Sequence, residues 1–256
     1  MRASTLLLAL MLALPQTAAA GARPPETARI PGGTYTPLFV NGRREVSVRA
    51  FALDRHAVTR AEYLAFVTAR PQWRRSRVRS AFSDRGYLGE WTGDLSMGAA
   101  ADARRPATQV SWFAARAYCA WRGKRLPSTD EWEYAARASE TSRDASRDPA
   151  FVSRLLAMYT SRASRGGAVG STFRNVYGVW DLHGLVWEWT ADFNSLLVSD
   201  DSRATSGRDH QLFCAAGVIG ATDPNNYPAF LRYGYRAALE GRTTGEGLGF
   251  RCAQDL

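Results

Sequence analysis

The chain has 256 residues and a formal net charge of +9, from 33 Lys and Arg against 24 Asp and Glu. A basic excess is common in nucleic-acid-binding proteins, but here Lys124 is the only lysine and the arginines are interleaved with acids. This pattern indicates a compositional bias toward Arg, so we expect no nucleic-acid partner. The one dense basic stretch, residues 70–79, is interpreted as a solvated surface loop rather than a polyanion site.

The first residues have the order of a secretory signal peptide. Arg2 precedes an apolar run over residues 6–14, and an A-x-A pattern follows at Ala18 and Ala20. We predict a signal peptide over residues 1–20, with an uncleaved anchor as the alternative. Because the apolar run is shorter than a membrane span requires, we expect the mature protein to be periplasmic or secreted, without stable membrane insertion.

The first predicted elements after the signal peptide are a strand and a helix. Residues 45–50 alternate Val or Ala with polar side chains, which predicts a half-buried strand. Thr59 and Glu62 have the spacing of a capping box and predict a helix over about Arg60–Ala69.

Two further helices are predicted in the middle of the chain. Ser111 is the N-cap of a helix that continues to Trp121, and the helical spacing turns Cys119 inward. Ser128 and Glu131 form a second capping box, which begins a short helix.

The other segments are mostly predicted to be loops. Residues 70–105 and 139–174 are polar and irregular, and a strand is predicted over residues 211–221. Scattered strands and few short helices predict an α+β class with a high loop content. No linker or internal repeat divides the chain, so we expect a single domain over residues 28–256.

Cysteine and histidine are scarce in this sequence. The three cysteines make one disulfide and one leftover thiol the simplest arrangement in an oxidising compartment. The three histidines are far apart and lack the spacing of metal ligands. These residues are Cys119, Cys214 and Cys252, and His56, His183 and His210. His183 is expected to face solvent or a ligand groove.

One segment, NVYGVWDLHGLVWEWTAD over residues 175–192, places Asp181 and Glu188 among three tryptophans. An unpaired buried carboxylate is costly. A cation, backbone N–H groups or an Arg must therefore satisfy these two side chains.

Several segments together resemble the formylglycine-generating enzyme, or sulfatase-modifying factor, superfamily. They are IPGGTY, HAVTRAEYLAFV, PATQVSWFAARAYCAWRGKRLPSTDEWEYAAR, YGVWDLHGLVWEW and LGFRCA, and they occur in the family's order from Ile30 onward. The resemblance implies a single α+β domain of the C-type-lectin-like type, loop-rich and with little regular structure.

The resemblance also implies a calcium site. In the family, the loop that matches DLHGLVWEW binds Ca²⁺, and the matching ligands here are the carboxylates of Asp181 and Glu188 and the carbonyl groups of Gly184 and Val186. Such hard oxygen ligands suit Ca²⁺. The alternative is that Glu188 pairs with an Arg and that Asp181 caps a turn.

A disulfide is implied in the same way. Cys119 and Cys252 fall where the family has a bridge, which leaves Cys214 either as a buried inert thiol or as a candidate site residue.

The sequence departs from the family at the catalytic cysteines. The founding enzymes oxidise a cysteine of a sulfatase peptide to formylglycine, with copper held by two thiolates. Depending on which motif anchors the alignment, those positions are Tyr227 and Arg232, or Asp223 and Pro228. Copper(I) prefers thiolate ligands, so we expect no cysteine-to-formylglycine oxidation. Trp187 is the groove residue that is clearly retained.

Two functions remain open from the sequence. The first is an exported oxidoreductase that acts on a peptide or small molecule without the cysteine pair. The second is a non-catalytic, calcium-stabilised binding or accessory module. The groove candidates are Trp187, Tyr227, Arg232, Arg236 and Cys214. The tyrosine and the arginines either line a pocket for an acidic or aromatic ligand or serve packing and ion pairing. No catalytic metal is assigned, and we expect a monomer.

Overall fold

The computed structural model of the protein describes residues 26–39, 45–161, 166–194, 221–223 and 225–256. The predicted signal peptide and Cys214 lie outside these residues, and so does nearly all of the strand predicted over residues 211–221. Within the described residues, no helix has the length and apolar character that a membrane crossing requires.

A three-stranded antiparallel sheet joins the beginning of the domain to its last strand. Its strands are β1 (Thr27–Ile30), β4 (Phe51–Asp54) and β7 (Ala253–Asp255), with β4 in the middle. Ile30 lies opposite Phe51, and Leu53 lies opposite Ala253. All four residues of β4 are buried, so other parts of the chain cover both faces of this strand.

Two further sheets have two strands each. β2 (Gly33–Tyr35) pairs antiparallel with β3 (Val46–Val48), which lies within the stretch where a strand is predicted. β5 (Trp187–Glu188) pairs in parallel with β6 (Leu248–Gly249). This second pairing brings the loop around Trp187 next to the segment that leads into β7.

Three helices begin at the predicted caps. They are α1 (Arg60–Ala69), α2 (Trp112–Trp121) and α3 (Thr129–Ala136). Both capping boxes are formed: the hydroxyl of Thr59 accepts from the N–H of Glu62, the hydroxyl of Ser128 accepts from the N–H of Glu131, and each Glu side chain accepts from the backbone N–H of its cap residue. The predictions of these helices are confirmed.

Two helices lie in stretches that were predicted to be irregular, and there the predictions are wrong. α4 (Pro149–Thr160) follows Asp148, whose side chain accepts from the helix N–H of Ala150. α5 (Tyr227–Ala237) follows Asn226, whose side chain accepts in the same way. Both helices have Pro in the first turn, where its missing N–H removes no hydrogen bond. The surrounding polar and Gly residues hide these cap signals in the sequence.

The main core contains a disulfide. Cys119 and Cys252 are bonded, with their Cα atoms 5.6 Å apart, and this is the pair that the resemblance implies. Both are buried in one cluster with Tyr118, Trp189 and Phe250, so the inward orientation predicted for Cys119 is confirmed. Short helices, small sheets and long connections confirm the loop-rich α+β class.

Candidate functional site

Asp181 is held by donors from the preceding loop. Its side chain is fully buried, and its backbone has a φ of 57°. One carboxylate oxygen accepts from the N–H and the hydroxyl of Thr172, both at 2.8 Å, and the other accepts from the N–H of Gly170. His56 Nδ1 lies 3.9 Å from that second oxygen. Burial opposes ionisation of Asp181, but His56 and the loop donors outweigh it and lower the pKa of the carboxyl.

Glu188 is paired with Arg251 in the interior of the domain. Arg251 donates from Nη2 to Oε1 at 2.7 Å and from Nε to Oε2 at 2.8 Å, and Trp132 donates from Nε1 to Oε2 at 2.8 Å. Arg251 also donates to the carbonyl groups of Asp54 and Trp180. Because the pair is hydrogen-bonded on all sides, its burial leaves no uncompensated charge.

These contacts do not fit a calcium ion at the predicted ligand set. Both oxygens of Asp181 and of Glu188 already accept from protein donors, whereas Ca²⁺ takes six to eight oxygen ligands of its own. Gly184 and Val186 line a small cavity instead. Among the described residues, no three His, Cys, Asp or Glu side chains are grouped to hold a metal ion. Calcium stays a prediction of the resemblance, and this geometry gives it no support.

Arg232 and Arg236 form a buried ion-pair cluster with Glu133, which corresponds to one of the two alternatives for these arginines. Arg232 donates to the carboxylate at 2.7 and 2.9 Å, and Arg236 donates at 2.6 Å. Burial by itself raises the pKa of Glu133, but the two guanidinium groups outweigh it and lower this pKa to about 2. Both guanidinium groups also lie over the ring of Trp132. The cluster fastens α5 to α3.

The two positions that correspond to the catalytic cysteines supply no thiolate. Tyr227 and Arg232 lie on the same helix, but Tyr227 is 61% exposed whereas Arg232 is 5% exposed. In the other alignment, Asp223 precedes α5 and Pro228 lies in its first turn. The cysteines within the described residues are bonded to each other, so this part of the chain holds no thiolate pair for copper.

Trp187 lies at the centre of a column of three aromatic rings. Its indole stacks on Tyr159 with a centroid distance of 4.9 Å and an interplanar angle of 12°, and on Tyr235 at 4.5 Å and 19°. α4, β5 and α5 contribute one ring each. The sequence gives no spacing signal for this column, since α4 and α5 lie in stretches predicted as loops.

Two adjoining cavities share Leu185, Val186 and Gly247, and we call them together the Trp187 groove. Trp187 bounds the smaller cavity. The larger cavity has a volume of about 420 Å³ and carries charged side chains. These side chains are Arg60, Glu90, Arg105 and Glu246. Sequence reasoning missed them because they come from separate segments and no motif links them.

The charges of the larger cavity are only partly paired. Arg60 forms ion pairs with Glu90 and, at 3.4 Å, with Asp102. Arg105 contacts Asp102 from Nη1 at 3.2 Å. Its Nε atom, in contrast, is buried without a hydrogen-bond partner in the part of the chain that the structure describes. The groove wall therefore carries the part-exposed guanidinium group of Arg105, whose Nε atom is itself closed off from solvent.

His183 is buried, which corrects the expectation that it faces solvent or the groove. Its Nε2 lies 2.8 Å from the carbonyl oxygen of Ala136, and its Nδ1 lies 2.7 Å from the hydroxyl of Tyr159. Because a carbonyl only accepts, we assign the proton to Nε2, and Tyr159 then donates to Nδ1. Burial and the charge of Arg232 lower the pKa of His183 to about 3, so the ring is neutral at neutral pH.

Fold and groove together define a loop-rich α+β domain with a ligand-sized groove beside a stacked tryptophan. The chain belongs to the family described as "Sulfatase-modifying factor enzyme 1-like domain", whose model matches residues 13–256.

Its relatives include proteins named as active and as inactive enzymes. The chain is 27% identical to "Inactive C-alpha-formylglycine-generating enzyme 2" of Mus musculus, over 96% of this chain and 91% of that protein. The Bos taurus protein of that name is 32% identical, over 58% of this chain and 50% of its own length. "Formylglycine-generating enzyme" of Streptomyces coelicolor is 28% identical, over 95% of this chain and 96% of its own length.

A solved structure agrees at the level of the fold. PvdO from Pseudomonas aeruginosa matches with a TM-score of 0.51 and 24% identity, over 91% of this chain and 95% of that one. At this identity the likeness concerns the fold alone.

Proposed function

We propose that this protein binds a peptide or small-molecule ligand in the Trp187 groove, as an exported binding or accessory module without the thiolate chemistry of the founding enzymes. The observation that carries this proposal is the guanidinium group of Arg105, which lines the larger cavity and belongs to a side chain that is 34% exposed. A carbonyl or carboxylate oxygen of a ligand would accept a charge-assisted hydrogen bond from this group.

The other polar groups of the groove favour a ligand that both donates and accepts hydrogen bonds. Arg60 is 5% exposed and paired with two acids, whereas Arg105 is 34% exposed and paired with Asp102, so Arg105 is the more accessible donor. Glu246 also lines the groove, and its exposed carboxylate accepts hydrogen bonds. A peptide carries both carbonyl acceptors and N–H donors, and it matches this combination.

Apolar surface in the groove supports the same conclusion. Leu185, Val186 and Trp187 line the groove next to these charged groups. Ligand sites in proteins typically combine apolar walls with a few placed polar groups, in volumes of roughly 300–1,000 Å³. The larger cavity, at about 420 Å³, has the size of such a site.

The binding proposal is tested by fluorine NMR of protein labelled with fluorotryptophan. Trp187→Phe identifies the resonance of Trp187 among the eight tryptophans. N-acetylated tripeptides with a free or an amidated carboxyl group are then titrated. We expect them to shift this resonance, and we expect Arg105→Gln to weaken binding at least about tenfold, because a hydrogen bond to a charged group contributes about 1.5–3 kcal/mol.

Arg104→Gln is the matched control for this experiment. Arg104 is exposed and is the last residue of a short 3-10 helix, Ala100–Arg104, which Arg105 directly follows. It does not line the groove. It should bind the peptides like the wild type. The proposal fails if no peptide moves the Trp187 resonance, or if the two arginine variants lose affinity equally.

Export is part of the proposal. The disulfide between Cys119 and Cys252 supports it, because disulfides persist in oxidising compartments. N-terminal sequencing of protein from the periplasm of a bacterial host tests it. A mature chain that begins at Gly21 would support export. Protein that is found in the cytosol and still carries residues 1–20 would contradict it.

A second candidate function is an exported oxidoreductase that acts on a ligand in the same groove. One observation favours it: Trp187 is stacked between two tyrosines, and such rings are oxidisable. Mass spectrometry of the tripeptides after incubation in air, with and without added copper, tests this function. A product that has lost two hydrogens, formed by the wild type but not by Trp187→Phe, would support it.

A further inference from the structure

The aromatic column has features that packing alone does not require. Ring surface is enough for packing, and Phe would supply it. Here the outer rings, Tyr159 and Tyr235, are phenols, and the hydroxyl of Tyr159 lies 2.7 Å from a histidine nitrogen. Trp187, the central ring, borders the smaller cavity of the Trp187 groove. The column is therefore open to a groove ligand at its centre and has a proton acceptor at one end.

The proton acceptor is fixed in position and shielded. Nε2 of His183 is bonded to the carbonyl oxygen of Ala136, which leaves the lone pair of Nδ1 directed at Tyr159. The rings of Phe151 and Phe173 pack around the imidazole. A phenol that loses an electron becomes strongly acidic, so a base already at hydrogen-bond distance receives its proton without any movement of heavy atoms.

We propose that Tyr159, Trp187 and Tyr235 form a relay for single electrons that is reached through the Trp187 groove, with His183 as the proton acceptor of Tyr159. A one-electron oxidant, such as a high-valent metal complex, takes one electron from Trp187. Tyr159 then passes one electron to Trp187, and its O–H bond breaks as the proton moves to Nδ1 of His183. The products are the reduced oxidant, a neutral phenoxyl radical at Tyr159 and an imidazolium at His183.

A one-electron donor resets the relay. A phenolic ligand in the groove gives one electron to the column, the proton returns from Nδ1 to the oxygen of Tyr159, and the oxidised donor leaves. One electron has then passed from donor to oxidant, and the protein is unchanged. The relay operates whether or not the groove also binds peptides, so the two proposals fail independently.

The test is flash photolysis of the full chain with tris(bipyridine)ruthenium as photo-oxidant and persulfate as sacrificial electron acceptor, followed by freezing and EPR spectroscopy. We expect a tyrosyl radical that forms more slowly in D₂O, because a proton moves with the electron. Tyr159→Phe keeps the stacked ring but removes the transferable proton. It should lose this tyrosyl signal and leave a tryptophan radical.

Tyr227→Phe is the matched control, because Tyr227 is an exposed tyrosine outside the column. Its removal should leave the radical and its D₂O dependence unchanged. If Tyr159→Phe does not fold, difluorotyrosine at position 159 replaces it, since fluorine couplings in the EPR spectrum then identify the radical. A radical that persists unchanged in Tyr159→Phe, lacks the fluorine couplings, or disappears in Tyr227→Phe would overturn the relay and leave the column as packing.

Discussion

Arg251 encloses the carboxylate of Glu188 with two parallel hydrogen bonds of 2.7 and 2.8 Å, and neither side chain reaches solvent. Glu188 lies in the loop for which the resemblance predicts calcium, and Arg251 reaches it from a segment 63 positions away. The positive charge that Glu188 requires comes from a guanidinium group of the same chain, which leads to two predictions about stability.

Removing one partner of this pair should destabilise the fold strongly. Glu188→Gln leaves the charge of Arg251 buried without its counter-ion, a change that typically costs about 3–5 kcal/mol. Urea denaturation followed by tryptophan fluorescence measures the loss. As a control, Asp255→Asn removes an exposed partner of Arg125 and should cost much less, because solvent screens an exposed pair. Similar losses of unfolding free energy in both variants would show that the buried pair stabilises the fold no more than an exposed one.

Calcium should not stabilise the described fold through Asp181 and Glu188. A cation bound to the native state at a hundred times its dissociation constant would add about 2.7 kcal/mol, which a thermal melt detects readily. We expect the same melting temperature with excess Ca²⁺ and with chelator. A calcium-dependent rise that is lost in Asp181→Asn would establish the site that the resemblance predicts.

Loss of the disulfide should cost on the order of 4–5 kcal/mol, because the bridge joins residues 133 positions apart and the chain-entropy contribution grows with loop length. The double variant Cys119→Ser, Cys252→Ser measures this cost by urea denaturation. Cys214→Ser is the control and should unfold like the wild type. Non-reducing peptide mapping that finds Cys214 in a bridge would contradict the pairing.

Acid should weaken the cluster that joins α5 to α3. The folded pKa of Glu133 is about 2, below its ordinary value of 4.5. Its carboxylate therefore contributes fully to folding stability above pH 4.5, and this contribution is lost as pH falls toward 2. The contribution is about 3 kcal/mol. The difference in unfolding free energy between the wild type and Glu133→Gln should therefore shrink across this range. A difference that is independent of pH would contradict the lowered pKa.

The effect of His183 must be separated from that of Glu133. The folded pKa of His183 is also lowered, to about 3 from an ordinary 6.5. Its contribution is therefore present above 6.5 and starts to be lost as pH falls below that value. Because Glu133 itself raises the pKa of His183, this loss differs between the wild type and Glu133→Gln. The comparison is therefore repeated with His183→Gln in both chains, where the loss is absent.

The protein should not convert cysteine to formylglycine in a sulfatase-motif peptide. Exchange with a substrate cysteine passes through sulfur, and the matching positions here hold Tyr227 and Arg232. Copper-loaded protein is incubated with the peptide in air, and the aldehyde is sought by mass spectrometry. Turnover that is lost in Cys214→Ser would contradict this prediction and point to a single-cysteine mechanism.

Local signals in the sequence predicted the local structure well. The caps Thr59, Ser111 and Ser128 located three helices because capping depends on residues within one turn. The caps of α4 and α5, Asp148 and Asn226, were equally local. The polar composition of the surrounding residues obscures these two caps in the sequence.

The candidate site was much harder to predict, because its contacts join distant segments. Arg232 lies 99 positions from Glu133, and Arg251 lies 63 positions from Glu188, so no spacing rule links either pair. An ion pair for Glu188 was one of the alternatives at the sequence level, but the identity of its Arg was not. The resemblance identified the family and the disulfide. Arg105 and the rings beside Trp187 are recognisable as parts of the site only from the structure.

The position of β4 between β1 and β7 constrains when this domain is able to fold. Phe51 and Leu53 belong to β4, but their second hydrogen-bonded neighbour comes from Ala253–Asp255. A ribosome must therefore reach residues 253–255 before this sheet gains its third strand. A chain that stops earlier exposes an unpaired, apolar strand edge, a common starting point for aggregation. Chains that stop before residue 253 therefore differ from longer ones by an open strand edge, and this sheet is completed only late in synthesis.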